Sequence, residues 1–172
     1  MDGGGGFDMK KFGKIVVAIL IAVFAVNAQT KYQKYANDRF AYSIEYPSGL
    51  LKMQAPPANN DGRTFRSNDG KIEMRVWGQH NALERNLVEE YDESVKKCGT
   101  SSVYKDFYER YFVISCTVNN RIYYQKTLHR GESGPEIFFT FTIEYPTSQK
   151  AKMDAVVTRI SRSFKFDPDA DI

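Results

Sequence analysis

Apolar and polar residues alternate along several stretches of the chain, which is the pattern of half-buried β-strands. The first stretch, residues 40–46, alternates large apolar side chains with small or polar ones and ends at Pro47, which cannot continue a hydrogen-bonded ladder. Asp69-Gly70 is a strong signal for a tight hairpin turn, so neighbouring strands are expected to be antiparallel. Further strands are predicted at 50–54, 63–66, 71–77, 102–109, 111–118, 121–130 and 136–144.

Two stretches have helical periodicity instead. Asn81 and Glu84 have the spacing of a capping box and predict the start of the first helix. Its apolar stripe consists of Leu83, Leu87, Val88, Tyr91 and Val95. The second helix, capped by Thr147 or Ser148, has a stripe of Met153, Val156, Val157, Ile160 and Phe164. This order of elements predicts an α+β fold, with an antiparallel β-sheet flanked by helices.

Residues 9–28 have the features of a signal peptide. Three lysines precede the unbroken apolar run 15–26, and Ala28 is a small residue suited to cleavage before Gln29. A helix that spans a bilayer needs roughly 20 apolar residues. The shorter run therefore favours a cleaved signal peptide over an uncleaved membrane anchor. We expect a periplasmic or secreted protein without a stable membrane anchor after cleavage.

The octet 1–8 is glycine-rich and contains two aspartates, which weaken the positive charge that a signal peptide carries at its start. We expect translation to start at Met9, although the sequence leaves a start at Met1 open, and we treat 1–8 as a leader of doubtful origin. The rest of the chain is predicted to comprise a flexible lead-in at 29–37, a single α+β domain at 38–168 and a frayed tail at 169–172.

Composition argues against nucleic acid as a partner. The 172 residues carry a formal charge of +3, and loss of the three lysines and two aspartates of the first 28 residues lowers it to about +2. Binding to nucleic acid needs clustered basic residues. The aromatic and basic residues between 104 and 126 are diluted by Asp106 and Glu109, so a structural sheet face is the better interpretation.

Two cysteines, Cys98 and Cys116, remain after cleavage of the signal peptide. An even number in an exported chain favours a disulfide, with two buried free thiols as the alternative. A bridge between them would close a loop whose stabilisation is roughly 3 kcal/mol on the chain-entropy model.

No motif of a known catalytic, metal or cofactor site is present, so we expect none of these. The two histidines, His80 and His129, are far apart in sequence and are interpreted as ordinary surface residues. Glu45 and Glu144 end similar strands and would serve glycoside hydrolysis if paired, but strand-end carboxylates are usually solvated. Trp77 is a possible binding anchor if it is exposed, and a core residue if helices cover both faces of its strand.

Several segments together resemble the PsbP/Mog1-like domain family. They are Asp38–Pro47, the helix that follows, Phe112–Cys116, the Asn119-Asn120 turn, Ile122–Lys126, Phe139–Pro146 and Arg159–Phe164. The resemblance covers about residues 38–166 and implies an α/β/α sandwich around an antiparallel sheet. It also implies a binding, assembly or chaperone-type module rather than an enzyme. No binding residue of the family carries over.

The leading functional hypothesis is a non-catalytic exported module that binds another envelope protein. The alternative is a periplasmic carrier of a small molecule or lipid, with a cavity between sheet and helices. A hydrolase built on carboxylates that the sequence does not pair is a third reading. The sequence does not specify the partner or the oligomeric state.

Overall fold

A computed structural model describes residues 30–101, 103–131 and 136–170. The strands are β1 (Tyr32–Asn37), β2 (Tyr42–Pro47), β3 (Lys52–Met53), β4 (Gly62–Arg66), β5 (Glu73–His80), β6 (Tyr104–Phe107), β7 (Tyr111–Val118), β8 (Arg121–Arg130), β9 (Ile137–Pro146) and β10 (Lys165–Phe166). The helices are α1 (Leu87–Val95), extended by a 3₁₀ turn at Lys96–Cys98, and α2 (Lys150–Ser163), preceded by one at Thr147–Gln149.

The described strands form two antiparallel sheets. The larger sheet has the order β3-β4-β5-β9-β8-β7-β6, and the smaller has the order β1-β2-β10. β9 comes late in the sequence but lies in the middle of the larger sheet, where its residue Phe141 is opposite Val76 of β5 and Lys126 of β8. The predicted α+β class is confirmed, and the strand ranges 111–118 and 121–130 are those observed.

The main hydrophobic core lies between one face of the larger sheet and a layer formed by α2 and the smaller sheet. β2 and α2 supply Ile44 and Ile160, and β9 supplies Phe141 from the facing sheet. All three side chains are fully buried. This face of the larger sheet is thus closed to solvent over its central strands.

A second, smaller core lies on the opposite face of the larger sheet. Leu87 of α1 is buried there with Phe112 and Cys116 of β7. Cys98, in the turn after α1, forms a disulfide with Cys116. α1 covers only part of this face, so β4, β5 and the middle of β9 remain uncovered by a helix.

Residues 32–37 differ from the predicted flexible lead-in, because they form β1 and pair along their whole length with β2. Tyr35 and Asn37 are buried, and the Asn37 amide donates hydrogen bonds to the Tyr35 hydroxyl and the Asn60 carbonyl. The alternation of this strand is hard to recognise in the sequence because one of its two buried residues is polar.

Helix α1 begins six residues after the predicted cap. Asn86 is the N-cap: its Oδ1 accepts hydrogen bonds from the backbone N–H groups of Val88 and Glu89, both at 3.0 Å. The Glu89 carboxylate accepts from the Asn86 N–H in return, which completes the capping box. The Asn81 side chain instead stabilises the preceding turn: its amide donates to the Arg85 carbonyl, and its Oδ1 accepts from the Arg85 N–H. The sequence offers two boxes with the same spacing, and the prediction of the first was wrong.

We expect the substitution Asn86→Ala to lower the free energy of unfolding by about 1 kcal/mol, because two N–H groups of the first helical turn lose their acceptor. The measurement is the midpoint of urea denaturation. Asn86→Ser is the matched control, since a serine hydroxyl also caps, and it should retain most of the stability. Equal losses for both substitutions would contradict a capping role.

Among the residues that the structure describes, no helix is long and apolar enough to cross a membrane. The predicted leader at 1–8, the signal peptide at 9–28 and its cleavage site between Ala28 and Gln29 lie outside these residues. So do the last two residues of the predicted tail.

Candidate functional site

A groove of about 750 Å³ lies on the face of the larger sheet that α1 leaves uncovered. The floor is formed by β4, β5, β9 and β8, one wall by α1 with the turn after it, and the other wall by the loop Ala55–Pro57. We call this the outer groove. It brings together segments that are distant in sequence.

The floor is polar although it is buried. Thr140 and Thr142 of β9 point into the groove, while the phenylalanines that alternate with them point into the main core. Gln125 of β8 donates hydrogen bonds to the hydroxyls of Thr127 and of Ser94 on α1, both at 2.9 Å. These bonds satisfy buried polar groups and fasten the α1 wall to the floor.

The α1 wall presents charges of both signs to the groove. Glu90 and Glu93 lie along the helix, and Lys97 follows in the turn after it. The Lys97 ammonium lies 5.9 Å from the ring centroid of Tyr123 and 4.0 Å from the Glu144 carboxylate. Burial, together with the charge of Glu144, raises the pKa of Tyr123, so its hydroxyl stays protonated in the groove.

Trp77 lies in the outer groove and is half-buried. Its indole N–H donates to the Gln79 side chain at 3.1 Å. Across the sheet it is opposite Gly62 of β4 on one side and Thr140 of β9 on the other. A Cβ on Gly62 would lie 2.8 Å from the Trp77 Cβ, so glycine is needed for this close approach. The partly exposed indole is therefore accessible from the groove.

The outer groove also contains two carboxylates that face each other across β5 and β9. Glu73 and Glu144 are directly opposite in the strand register. Burial raises the pKa of Glu73, but hydrogen bonds and charges from Arg66 and Arg75 outweigh it and hold that pKa below its usual value. A general acid in glycoside hydrolysis needs a raised pKa. Glu73 is therefore tuned for an ion pair instead.

The structure does not bring the sequence-predicted pair Glu45 and Glu144 into one site. Glu45 lies on β2 in the smaller sheet, where Arg159 donates to its carboxylate at 2.9 Å. Glu144 lies on β9 near Lys97 and Arg121. Each carboxylate has its own cationic neighbours on a different sheet.

The histidines are likewise separate. His80 is exposed and packs against the ring of Phe40, and His129 stacks on Phe138 with ring centroids 4.8 Å apart. Within the described ranges, no group of three or more His, Cys, Asp or Glu side chains is arranged to hold a metal ion.

Comparison with known proteins gives no match at the level of sequence families. No family model matches the chain, and no curated protein matches it. Similarity appears only in three dimensions, among solved structures. It extends to a cyanobacterial PsbP (CyanoP) from Synechocystis sp. PCC 6803, at 12% identity and a TM-score of 0.56.

This match covers 80% of the chain and 94% of CyanoP. Two further structures have TM-scores below 0.5. One is a Bacteroides thetaiotaomicron protein, with 13% identity, a TM-score of 0.48 and coverage of 81% of this chain and 50% of that one. The other is LpqN of Mycobacterium tuberculosis, involved in cell envelope biogenesis, with 10% identity, a TM-score of 0.39 and coverage of 83% and 88%. The chain therefore has the PsbP/Mog1-like α+β fold that its sequence resembles.

Proposed function

We propose that the chain is a non-catalytic, envelope-associated binding module and that a segment of another protein binds in its outer groove. The observation that carries this proposal is the composition of the groove: it holds a half-buried tryptophan, and its α1 wall carries both acidic and basic side chains. Aromatic anchors surrounded by polar groups are typical of protein interfaces. The predicted signal peptide supports a location in the envelope.

The charges of the groove fit a polypeptide with charges of both signs. Arg75 on the floor and Lys97 on the α1 wall are exposed, as is Glu93. Such groups recognise complementary charges and disfavour other partners. Trp77 adds an apolar contact surface, which the charged side chains of the groove do not provide.

The same groove argues against the transport of a lipid. The cavity between sheet and helix that a carrier requires is present, but its floor includes the polar side chains of Thr140, Thr142, Gln125 and Tyr123. Carriers of acyl chains need a lining that is mostly apolar. A polar small molecule remains compatible with the groove and is one outcome of the experiment below.

The experiment is site-specific photo-crosslinking of the full chain in its native host. A benzophenone amino acid replaces Arg75 at the groove and, as the matched control, Thr158 on the exposed side of α2. We expect one discrete protein adduct from position 75 and none from position 158. Combining the position-75 probe with Trp77→Ala should reduce the adduct about tenfold or more, as truncation of an interface hot spot does.

Equal labelling from both positions, or no adduct from position 75, would contradict the proposal. A small molecule that co-purifies with the chain and is lost in Trp77→Ala, without any protein adduct, would establish the carrier instead. Mass spectrometry of the purified chain and of the adducts distinguishes these results.

A further inference from the structure

Strand β6 ends the larger sheet with an open hydrogen-bonding edge. It pairs only with β7 among the described strands, and the Tyr108 N–H donates to the Tyr111 carbonyl at 2.9 Å where the two strands join. Hydrogen-bonded pairs alternate in an antiparallel ladder. Tyr104 and Asp106 therefore turn their backbone groups toward β7, and Lys105 and Phe107 turn theirs outward. An added strand would bond to these two residues.

Exposed aromatic side chains are concentrated around this edge. Of six exposed large hydrophobic residues in the described part of the chain, three lie here: Tyr104, Phe107 and Tyr108, at 62%, 44% and 45% exposure. Sheet edges are normally protected by charges, bulges or proline. β6 has such charges in Lys105 and Asp106, but it also exposes aromatic rings, which suit an edge to pairing with another strand.

A small cleft next to this edge has unpaired positive charge. The cleft has a volume of about 320 Å³ and lies between β6, β7, β8 and the end of α2. Its lining includes the side chains of Tyr104, Tyr111, Tyr124, Lys126 and Arg162. The half-buried Lys126 ammonium donates to the Ser161 carbonyl at 2.9 Å and lies 4.9 Å from the Tyr111 ring centroid.

Neither Lys126 nor Arg162 has a carboxylate within ion-pair distance among the described residues. Asp106 also lines the cleft, but its carboxylate accepts the Tyr108 hydroxyl at 2.8 Å. Burial lowers the pKa of Lys126, which is the effect of desolvation without a compensating anion. A carboxylate that enters the cleft would supply that anion.

We propose that β6 binds an extended segment of a partner protein by strand addition, and that an acidic side chain of this segment occupies the cleft beside Lys126. Successive side chains of an added strand alternate between the two faces of the sheet. One residue of the segment would therefore point toward the cleft, and its neighbours would contact Phe107 on the opposite face. This surface is separate from the outer groove, and the proposal does not depend on the groove.

A second copy of this chain fits the edge less well. Antiparallel pairing of two β6 strands centred on Asp106 would place two aspartates opposite each other, and pairing centred on Lys105 would oppose two lysines. Like charges directly opposite each other destabilise a pair of strands. Pairing centred on Phe107 would place much of the second strand beyond β6, beside the turn that follows it.

The test is selection of a random octapeptide display library on the full chain. We expect the enriched peptides to contain an Asp or Glu flanked by alternating β-branched or aromatic residues. Lys126→Gln should weaken their binding about tenfold or more, because a charge-assisted contact is lost. Lys152→Gln, on the exposed side of α2, is the matched control and should leave binding unchanged. Bound peptide should slow amide exchange at Lys105 and Phe107.

Peptides without an acidic residue, or acidic peptides that bind Lys126→Gln as well as the wild type, would overturn the proposal. So would unchanged amide exchange at Lys105 and Phe107. Trp77→Ala should not affect this binding, and peptides lost only in that variant would belong to the outer groove. If the chain alone forms a dimer in which amide exchange at Lys105 and Phe107 is slowed, a second copy and not a partner segment pairs with β6, and the proposal is wrong.

Discussion

Replacing Phe141 with alanine should lower the free energy of unfolding by about 3–5 kcal/mol, the usual cost of removing a large aromatic side chain from a core. Phe141 is fully buried in the central strand β9. Its ring lies 5.5 Å from that of Tyr124 and 5.3 Å from that of Phe164, which follows α2. The substitution leaves a cavity where the sheet and the α2 layer meet. Urea denaturation followed by tryptophan fluorescence measures the loss.

Phe107→Ala is the matched control for this prediction. The same side chain is removed, but its exposed position on β6 means that only about half of its apolar surface leaves water on folding, so we expect a loss of about 1 kcal/mol. The two-state assumption is checked by comparing the slopes of the two transitions. A similar loss at both positions would mean that Phe141 is not in the core that the structure describes.

Opening the Cys98–Cys116 disulfide should lower the free energy of unfolding by about 3 kcal/mol. The bridge joins cysteines 18 residues apart and ties the end of α1 to β7. Without it, the unfolded chain gains conformational freedom. The double substitution Cys98→Ala/Cys116→Ala and chemical reduction of the wild type are compared by denaturation in guanidinium chloride.

The two ways of opening the bridge have different side effects. Reduction leaves both sulfur atoms in the second core, whereas the alanines also remove buried atoms there, so the double variant should be the less stable of the two. A reduced wild type that unfolds at the same denaturant concentration as the oxidised protein would contradict the prediction. That result would mean that the two cysteines stabilise the fold only by packing in the second core.

Alternation predicted β7 well because its buried residues are apolar. The stretch 111–118 alternates cleanly, and the structure has β7 at those residues. β1 escaped prediction because Asn37 is buried and hydrogen-bonded, which an alternation of apolar residues does not reveal. Two competing capping boxes made the start of α1 ambiguous. Local rules alone do not choose between Asn81 and Asn86 as the cap. In the structure the helix starts after Asn86, and its first residue, Leu87, packs against the sheet.

The outer groove was only partly visible in the sequence. Thr140 and Thr142 alternate with phenylalanines in β9, and that alternation signals a polar face on a central strand. The sequence also singled out Trp77, which the structure places in the groove. The sequence does not reveal the strand order. Glu73 and Glu144 are 71 positions apart, so nothing in the sequence indicates that they lie opposite each other on neighbouring strands.

The late position of β9 in the sequence also has a consequence for biogenesis. β5 has no partner on its inner side until residues 137–146 are available, and β2 gains its second partner only from residues 165–166. Folds dominated by contacts between distant residues form slowly, since long loops must close first. A growing chain cannot complete the larger sheet before residue 146 is available, or the smaller sheet before residue 166 is available. Both sheets should therefore stay incomplete during synthesis until the ribosome has passed residue 166.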